Sequence, residues 1–356
     1  MDAPRADASR ILVLGAGPVG CAAALLLRSA GHRVAIHDDS AVRAGFRPIA
    51  LSYASRLILE RVGAWGAFDA TPIESVQVSQ QGGFGRTVMD CRDAGVPALG
   101  YVADYGALTA ALRALAGHSS LDKAPEGANT ALIVHAEGAA DDAEEKRYDQ
   151  DAVVARVAIA PPAATTAHER FTPEGPLALL PFAGAYALVW SARPERAQAL
   201  AALPDARFLE ELASAAGPRL GTPTGVSNRA VHPLVLRVRR EPVAARAVYI
   251  GNAAQSLHPV AGQGLNLGLR DAWDLARILR DAGDPGDAAT LGRYRAARRA
   301  DTFATIRATD FLAGAFTGRS GFARAARGLV LSVLDVLPGP RRFFARRMMF
   351  GPSALP

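Results

Sequence analysis

Cysteine is nearly missing from this chain: 356 residues hold only Cys21 and Cys91, far apart and outside any CxxC pattern. That scarcity excludes a disulfide scaffold and a cysteine-held metal cluster, and it predicts a reducing compartment. Cys21 lies in an apolar run, where a cysteine is expected to be a small buried hydrophobe. Histidine is equally thin. His32, His37, His118, His135, His168, His232 and His258 form no HxxxH or HExxH pattern, so no metal site is expected. No apolar run approaches the ~18 residues that a membrane span needs. The first ten residues are polar and lead straight into a strand, so no leader is expected and the predicted location is cytoplasmic. A chain of this length can bury a core large enough to need no covalent staple.

Acidic residues are missing from one stretch. From Arg319 to Pro356 there are seven arginines and a single acid, Asp335, and this accounts for the whole net charge of +6. The remaining 318 residues balance at 33 basic and 33 acidic. A basic tail on a neutral body argues against a broad nucleic-acid-binding face. Within the tail, Leu329, Val330, Leu331, Val333, Leu334, Val336 and Leu337 are flanked by arginines on both sides. Such a segment suits the inner face of an anionic membrane, and equally a core-packing helix with solvated arginines.

Glycine, by contrast, is placed with purpose. Arg10 to Leu14 reads as a short buried strand, followed by Gly15-Ala16-Gly17-Pro18-Val19-Gly20 and a helix from about Pro18 to Ala30. Pro18 sits just inside the helix start and Gly31 just past its end. Val34 to His37 is a second strand, which completes a β-turn-α-β unit. In such a unit the first glycine makes the turn, the second admits a pyrophosphate, and the third lets the helix pack on the strand. The free N–H groups at the helix start favour phosphate. Asp38, ending the second strand, is placed to accept from a ribose diol, with Asp39 its close competitor.

Further along, residues 48–68 and 105–116 read as helices. Residues 117–150 are polar and weakly patterned and read as a loop. Ala152–Ile159, Thr166–Phe171, Leu177–Pro181 and Tyr186–Trp190 read as an antiparallel sheet. Helix 205–216, strand Val231–Val238, strand Val248–Gly251 and helices Leu265–Arg280, 287–312 and 322–337 complete the chain. The predicted fold is α/β: a Rossmann-like parallel sheet with helices, an interleaved antiparallel-sheet substrate domain and a helical C-terminus. Its expected divisions are 1–150 with 241–310 as a discontinuous cofactor-binding domain, 151–240 as the substrate sheet, and 311–356 as the helical basic segment.

A second glycine-rich loop runs from Gly251 through Asn252 and His258-Pro259-Val260-Ala261-Gly262-Gln263-Gly264 into the helix that begins near Leu265. A helix start carries roughly half a positive charge and suits an anionic ligand atom. Two such sites more than 200 residues apart fit a long ligand such as FAD better than NAD.

This second loop resembles the signature of the ubiquinone-biosynthesis hydroxylases, a branch of the class A flavoprotein monooxygenases related to para-hydroxybenzoate hydroxylase. Gly251-Asn252 and His258 to Gly268 match it. Arg47-Pro48-Ile49-Ala50-Leu51-Ser52 with Gly63-Ala64-Trp65, Glu169 to Pro181, Arg342 to Arg346 and Met348 to Gly351 are similar to other blocks of the family, so the resemblance spans nearly the whole chain. His135-Ala136-Glu137-Gly138 is the nearest match to the family's ADG-like motif, and the region 117–150 looks shortened.

The resemblance implies FAD as cofactor and ring hydroxylation of a lipophilic phenol, a quinone precursor, through a C4a-hydroperoxyflavin, with O2 and NAD(P)H or another reductant. It implies that Gly15, Gly17, Pro18, Gly20 and Asp38 hold the ADP half and Asn252 the ribityl or pyrophosphate part. Gly251 precedes Asn252 in the same signature. Pro259 would lie near the oxygen-reacting face, and Gly262, Gln263, Gly264, Leu265 and Asn266 would line the isoalloxazine through backbone groups. Arg47 would be near the cofactor, and His258 would face flavin or substrate, or hold the loop. The cofactor carries the chemistry, so no catalytic acid–base pair is expected. The substrate pocket is expected between the flavin and the sheet of residues 152–190. Two alternatives stand beside this reading: a flavin-dependent reductase of isoprenoid substrates, and a non-catalytic assembly subunit of a quinone-biosynthesis complex.

Overall fold

The computed structural model describes residues 10–38, 45–117, 130–138, 143–161, 165–257, 262–317 and 321–351. Arg10–Leu14 and Arg33–His37 pair in parallel around the helix Pro18–Ser29, as the glycine pattern predicts. Thr130–His135 pairs in parallel on the other side of Arg10–Leu14, and Ala247–Tyr249 pairs with Thr130–His135. An antiparallel edge, Val243–Ala244, completes a five-stranded sheet. Ile11, Val13, Leu132, Val134 and Val248 point to one face of this sheet and are fully buried. There they pack against Ala22, Ala23 and Leu27 of the first helix and Leu108 and Leu112 of the helix Tyr105–Ala116. The run of small residues in the first helix lets it lie close to the strands. Cys21 belongs to this core, and burial pushes its thiol up to about 11, as befits an inert hydrophobe.

Two expectations fail here. Residues 48–68 are not one helix: Pro48–Ser52 is a strand, and a helix runs only over Tyr53–Arg61. The apolar spacing of a short strand feeding a helix mimics helical periodicity. Ser52 marks the boundary, its hydroxyl accepting from the Ser55 N–H as a helix cap. This strand joins Gly100–Asp104 and Ala70–Ile73 in a small antiparallel sheet. Nor is 117–150 a loop throughout. Thr130–His135 is the central strand of the parallel sheet, and Glu144 opens a strand that runs to Ala160. The charges that hide the second strand pair across it: Glu145 with Arg147 and Arg237, and Glu144 with Arg240.

The large sheet has eight strands in the order Gln255–Ser256, Thr222–Val238, Glu144–Ala160, Ala185–Ala192, Pro176–Phe182, Thr166–Phe171, Ser75–Gln80 and Arg86–Asp90. All neighbours are antiparallel except Thr166–Phe171 with Ser75–Gln80. Its two faces differ. The outer face presents Val153, Ala155, Leu177, Leu179, Leu188 and Trp190 to the helices Pro194–Ala202 and Asp205–Ala216, which cover it with Leu200, Phe208 and Leu212. The inner face presents Val76, Val78, Ala167, Leu180 and Phe182 towards the small sheet and the helix Tyr53–Arg61.

The helices Gln263–Leu279, Ala288–Thr317, Gly321–Val336 and Pro338–Phe350 close the chain, the last beyond the predicted helix 322–337. Leu329, Val330, Val333, Val336 and Leu337 form a stripe that is 40–73% exposed. Among the described residues, no helix is long and apolar enough to cross a membrane.

Candidate functional site

The first glycine turn lies at the carboxyl ends of the parallel strands. Gly15 has φ +95°, and a side chain there would stand 2.7 Å from the Glu137 backbone nitrogen. A side chain on Gly20 would stand 2.0 Å from the Gly15 carbonyl oxygen. Both glycines are therefore required by the chain itself. The Ala136 N–H donates to the Leu14 carbonyl at 2.8 Å, so the segment 135–138, the nearest match to the ADG-like motif, lies directly against the turn. Gly17 is different. A side chain on it would meet only the Tyr105 hydroxyl, at an ordinary 3.6 Å, so packing does not demand a glycine at this helix start. Asp38 sits beside the turn in an ion pair with Arg113, whose Nε donates to the Ala16 carbonyl at 2.8 Å. Arg113 comes from 75 residues further along the chain, and no local signal marks it. Asp39 lies outside the described residues.

The second glycine loop meets the first through Val19. Side chains on Gly251 (φ +58°) and Gly268 would stand 3.1 and 2.8 Å from the Val19 methyls. Gly268 would also come within 3.0 Å of Gly251 Cα. Only glycines allow the loop, the turn and the helix Gln263–Leu279 to touch at one point. Asn252, next in line, is exposed. The Gly251 N–H is held from behind by Asp271 at 3.0 Å, and Asp271 also accepts from Gln255 Nε2 at 2.6 Å.

Asp271 belongs to a buried ion cluster that sequence reading missed. Arg298 pairs with Asp271, Asp274 and Asp301 at 2.8, 2.9 and 2.8 Å, and Arg270 pairs with Asp301 at 2.8 Å. The side chains of Arg298, Asp271, Asp301 and Arg270 are only 1–6% exposed. At Asp301 burial pushes the carboxyl up, but Arg270 and Arg298 outweigh it and hold it below the usual range. At Asp271 burial wins, and the carboxyl is raised despite Arg298, the Gly251 N–H and Gln255. Charges this deep persist only when paired. Their pairing fixes the helix Ala288–Thr317 against Gln263–Leu279, and through Asp271 it fixes the Gly251 loop. Asp271, Asp274, Arg298 and Asp301 stand at helical spacings, the one trace of this cluster in the sequence.

Asn266 anchors the other end of the loop. Its Oδ1 accepts from the Ser52 N–H at 2.8 Å and from Ser55 Oγ at 2.7 Å. Its Nδ2 donates to the Ala50 and Gly262 carbonyls at 3.0 and 2.7 Å. The whole capacity of the amide is used inside the protein, so its side chain positions the loop. Gln263 is buried, its Nε2 donating to the Met348 carbonyl at 3.4 Å. Gly262 has φ +58°, and a side chain would press within 2.9 Å of Ala50 Cβ. It precedes a helix start that no side chain caps. A side chain on Gly264 would meet nothing within 4 Å, and Leu265 beside it is half-buried. Arg47 is exposed, its guanidinium 4.2 Å from the centre of the Tyr105 ring. Tyr105 thus lies between Arg47 and Gly17. His258 and Pro259 lie outside the described residues.

Gly17 and Gly264 are thus glycines at helix starts with open space where a side chain would be. Both are explained by a ligand that approaches the backbone closely, and the residues present fit an extended dinucleotide with one end at each. The fold and these two sites define an FAD-binding oxygenase-type flavoprotein. Residues 130–309 match the family model described as FAD binding domain. The chain is 30% identical to the ubiquinone hydroxylase UbiL of Rhodospirillum rubrum, over 95% of its own length and 89% of the relative's. It is 28% identical to the 3-demethoxyubiquinol 3-hydroxylase of Escherichia coli, over 92% and 95%. Its fold is similar to that of p-nitrophenol 4-monooxygenase from Pseudomonas putida, with a TM-score of 0.75, 18% identity and coverage of 97% and 100%. The chain belongs to the family of FAD-dependent monooxygenases that includes the ubiquinone-biosynthesis hydroxylases, and its cofactor is FAD.

The two kinds of glycine separate in an experiment. Gly264→Ala should leave the apoprotein as stable or raise its melting temperature, since alanine favours a helix over glycine by roughly 1 kcal/mol. Gly17→Ala should lower that stability by no more than about 1 kcal/mol, the loss of a favoured cap residue. Both should weaken FAD binding about tenfold or more, read by flavin titration. Gly20→Ala should instead lower stability itself. Arg298→Met takes from Asp271 its only cation among the described residues, leaving Asp301 with Arg270 and Asp274 with Arg277, and should cost about 3–5 kcal/mol, read as a lower urea midpoint.

Proposed function

We propose that this monooxygenase hydroxylates the aromatic ring of a polyprenylated phenol on the route to ubiquinone, with O2 and NAD(P)H or another reductant as co-substrates. The observation that carries the reading is the pair of open glycine positions, Gly17 and Gly264, in a chain whose full-length relatives are ubiquinone-pathway hydroxylases.

The backbone of Gly15, Gly17, Pro18 and Gly20 presents N–H groups to the pyrophosphate, and Asp38, oriented by Arg113, receives the ribose hydroxyls. Gly251 and Asn252 hold the middle of the cofactor. Gly262, Gln263, Gly264, Leu265 and Asn266 bring backbone groups to its ring system; Pro259, near the oxygen-reacting face, and His258, towards flavin or substrate, are assigned by the family resemblance alone. Arg47, over Tyr105, lies near the cofactor. Bound FAD supplies the electrons and the activation of oxygen. The protein supplies position, a positive helix end for developing negative charge, and exclusion of water. In this reading residues 1–150 and 241–310 carry the cofactor and 151–240 supply most of the sheet that closes over the substrate, although Ser75–Gln80, Arg86–Asp90, the start of Glu144–Ala160 and Gln255–Ser256 also belong to that sheet.

The substrate is lipophilic, and the C-terminal segment suits delivery from a membrane. The exposed stripe Leu329, Val330, Val333, Val336 and Leu337, with Phe343 at 74% exposure, lies beside exposed Arg342 and Arg346. An apolar patch edged by cations fits the surface of an anionic bilayer, so peripheral attachment at the inner face of the membrane is part of the proposal.

The purified protein should be yellow, or take up FAD on titration. With a prenylated phenol and a reductant it should consume O2 and release a hydroxylated ring. Hydride transfer without oxygen use, or a chain that takes up no flavin, would sink the reading. Co-sedimentation with vesicles should rise with their anionic lipid content, and Val333→Glu with Val336→Glu should abolish it while FAD binding stays unchanged.

A further inference from the structure

One carboxylate on the inner face of the large sheet is not used by the cofactor site. Glu169 lies in the strand Thr166–Phe171, between Val78 on one neighbouring strand and Ala178 on the other. Strand alternation puts it on the same face as Ala167 and Phe171. His168 and Arg170 point the other way. His168 meets the ring of Tyr186, in the helix-covered core, and Arg170 donates to Ser79 Oγ at 3.3 Å.

The surroundings of Glu169 are apolar. Along its row run Val78, Ala178 and Val189, and Leu180 stands diagonally across. On one side Ala167 packs on Ile73 and Val102 of the small sheet. On another, Val76 and Val78 pack with Tyr53, Ala54, Met349 and Phe350. The row through Glu169 lies between these contacts, and Val78, Glu169, Ala178 and Val189 are only half-buried although they stand in the middle of an eight-stranded sheet. That combination leaves an apolar row around Glu169 less covered than the rows beside it. The helix Tyr53–Arg61, whose Tyr53 and Ala54 pack with Val76 and Val78, is tied to the second glycine loop through Ser55 and Asn266.

Among the described residues, no ion pair is made by Glu169. Arg156, on the same face two strands beyond Ala178, donates to the Ala183 carbonyl and lies over the Phe182 ring. On the facing helices, Arg56 is tied to Glu60 and Tyr101, Arg341 to Asp93, and Tyr53 stacks edge-on with Phe350. Burial alone pushes the Glu169 carboxyl up to about 7.

We propose that Glu169 is the substrate-recognition residue of this enzyme: its carboxylate receives the hydroxyl of the phenol, orients the ring over this half-covered apolar row, and accepts the phenolic proton. The inference rests on the hydroxylase reading. In the step the phenol O–H bond breaks and a carboxyl O–H bond forms. The electron pair left on oxygen enriches the ortho and para carbons, where hydroxylation takes place. No electrons leave the ring in this step. A base that titrates near neutrality is matched to that task, and the apolar walls select a phenol carrying a hydrocarbon chain.

The test uses the FAD-loaded protein, wild type and Glu169→Gln, with a short-chain prenylated phenol. Phenol binding is read as a change in the flavin absorption spectrum, and hydroxylation in a single turnover over a pH series. Wild-type hydroxylation should rise with pH through about 7, where the carboxyl becomes a base. Glu169→Gln should bind FAD normally, bind the phenol about tenfold more weakly, hydroxylate about 100-fold more slowly, and lose that rise. Melting temperature gives a second readout without turnover. The folded protein holds this proton to a higher pH than the unfolded chain, so ionisation costs stability. Glu169→Gln should therefore gain stability over wild type as pH rises from about 4.5 through 7, with little gain below. Equal phenol affinity and an unchanged pH profile in the variant would overturn the role of Glu169 and leave the hydroxylase reading standing. No phenol binding by either protein would overturn the hydroxylase reading, and this inference with it.

Discussion

The cofactor site depends on the buried cluster of Arg270, Asp271, Asp274, Arg298 and Asp301. Two glycine segments more than 200 residues apart must meet within van der Waals distance at Val19. Each alone is a flexible turn with no reason to face the other. Asp271 gives one of them a fixed backbone partner, the Gly251 N–H, and Arg298 holds Asp271 by tying it to a second helix. Arg298 is shared by three carboxylates and Asp301 by two arginines, so a change at either of these unbalances its neighbours in the core. It carries no chemistry of its own. It makes the geometry of the flavin loop a property of the whole C-terminal half.

Around that junction the molecule divides its glycines by purpose. Gly15, Gly20, Gly251, Gly262 and Gly268 are small because the protein's own atoms crowd them. Gly17 and Gly264 are small although nothing of the protein lies near enough to matter. The first group shapes the loops, and the second leaves the backbone bare for a ligand. Asn266 belongs with the first group: its amide is spent on Ser52, Ser55, Ala50 and Gly262, and it is a strut between the second glycine loop and the strand Pro48–Ser52 with the helix behind it.

The large sheet shows the same economy. Its outer face is sealed by two helices over Trp190 and Phe208. Its inner face is apolar but incompletely covered, and it holds Glu169 at its centre. A carboxyl held among apolar side chains in such a place costs stability once it ionises.

Much of this was legible in the sequence because it rests on local rules. A glycine turn between a strand and a helix needs particular residues at particular spacings, and Gly15 to Asp38 supplied them. The bounds of Thr166–Phe171 and Tyr105–Ala116 followed from alternation and helical spacing. Local pattern failed where charge or brevity masked it: in Thr130–His135 and Glu144–Ala160, hidden in a polar region, and in Pro48–Ser52, whose few residues merge with the helix behind them. Only the tertiary structure decided the pairing of Arg113 with Asp38, the ion cluster behind Gly251 and the inward face of Glu169. Each depends on residues tens to hundreds of positions apart, and sequence spacing carries no information about which side chains meet once the chain has folded.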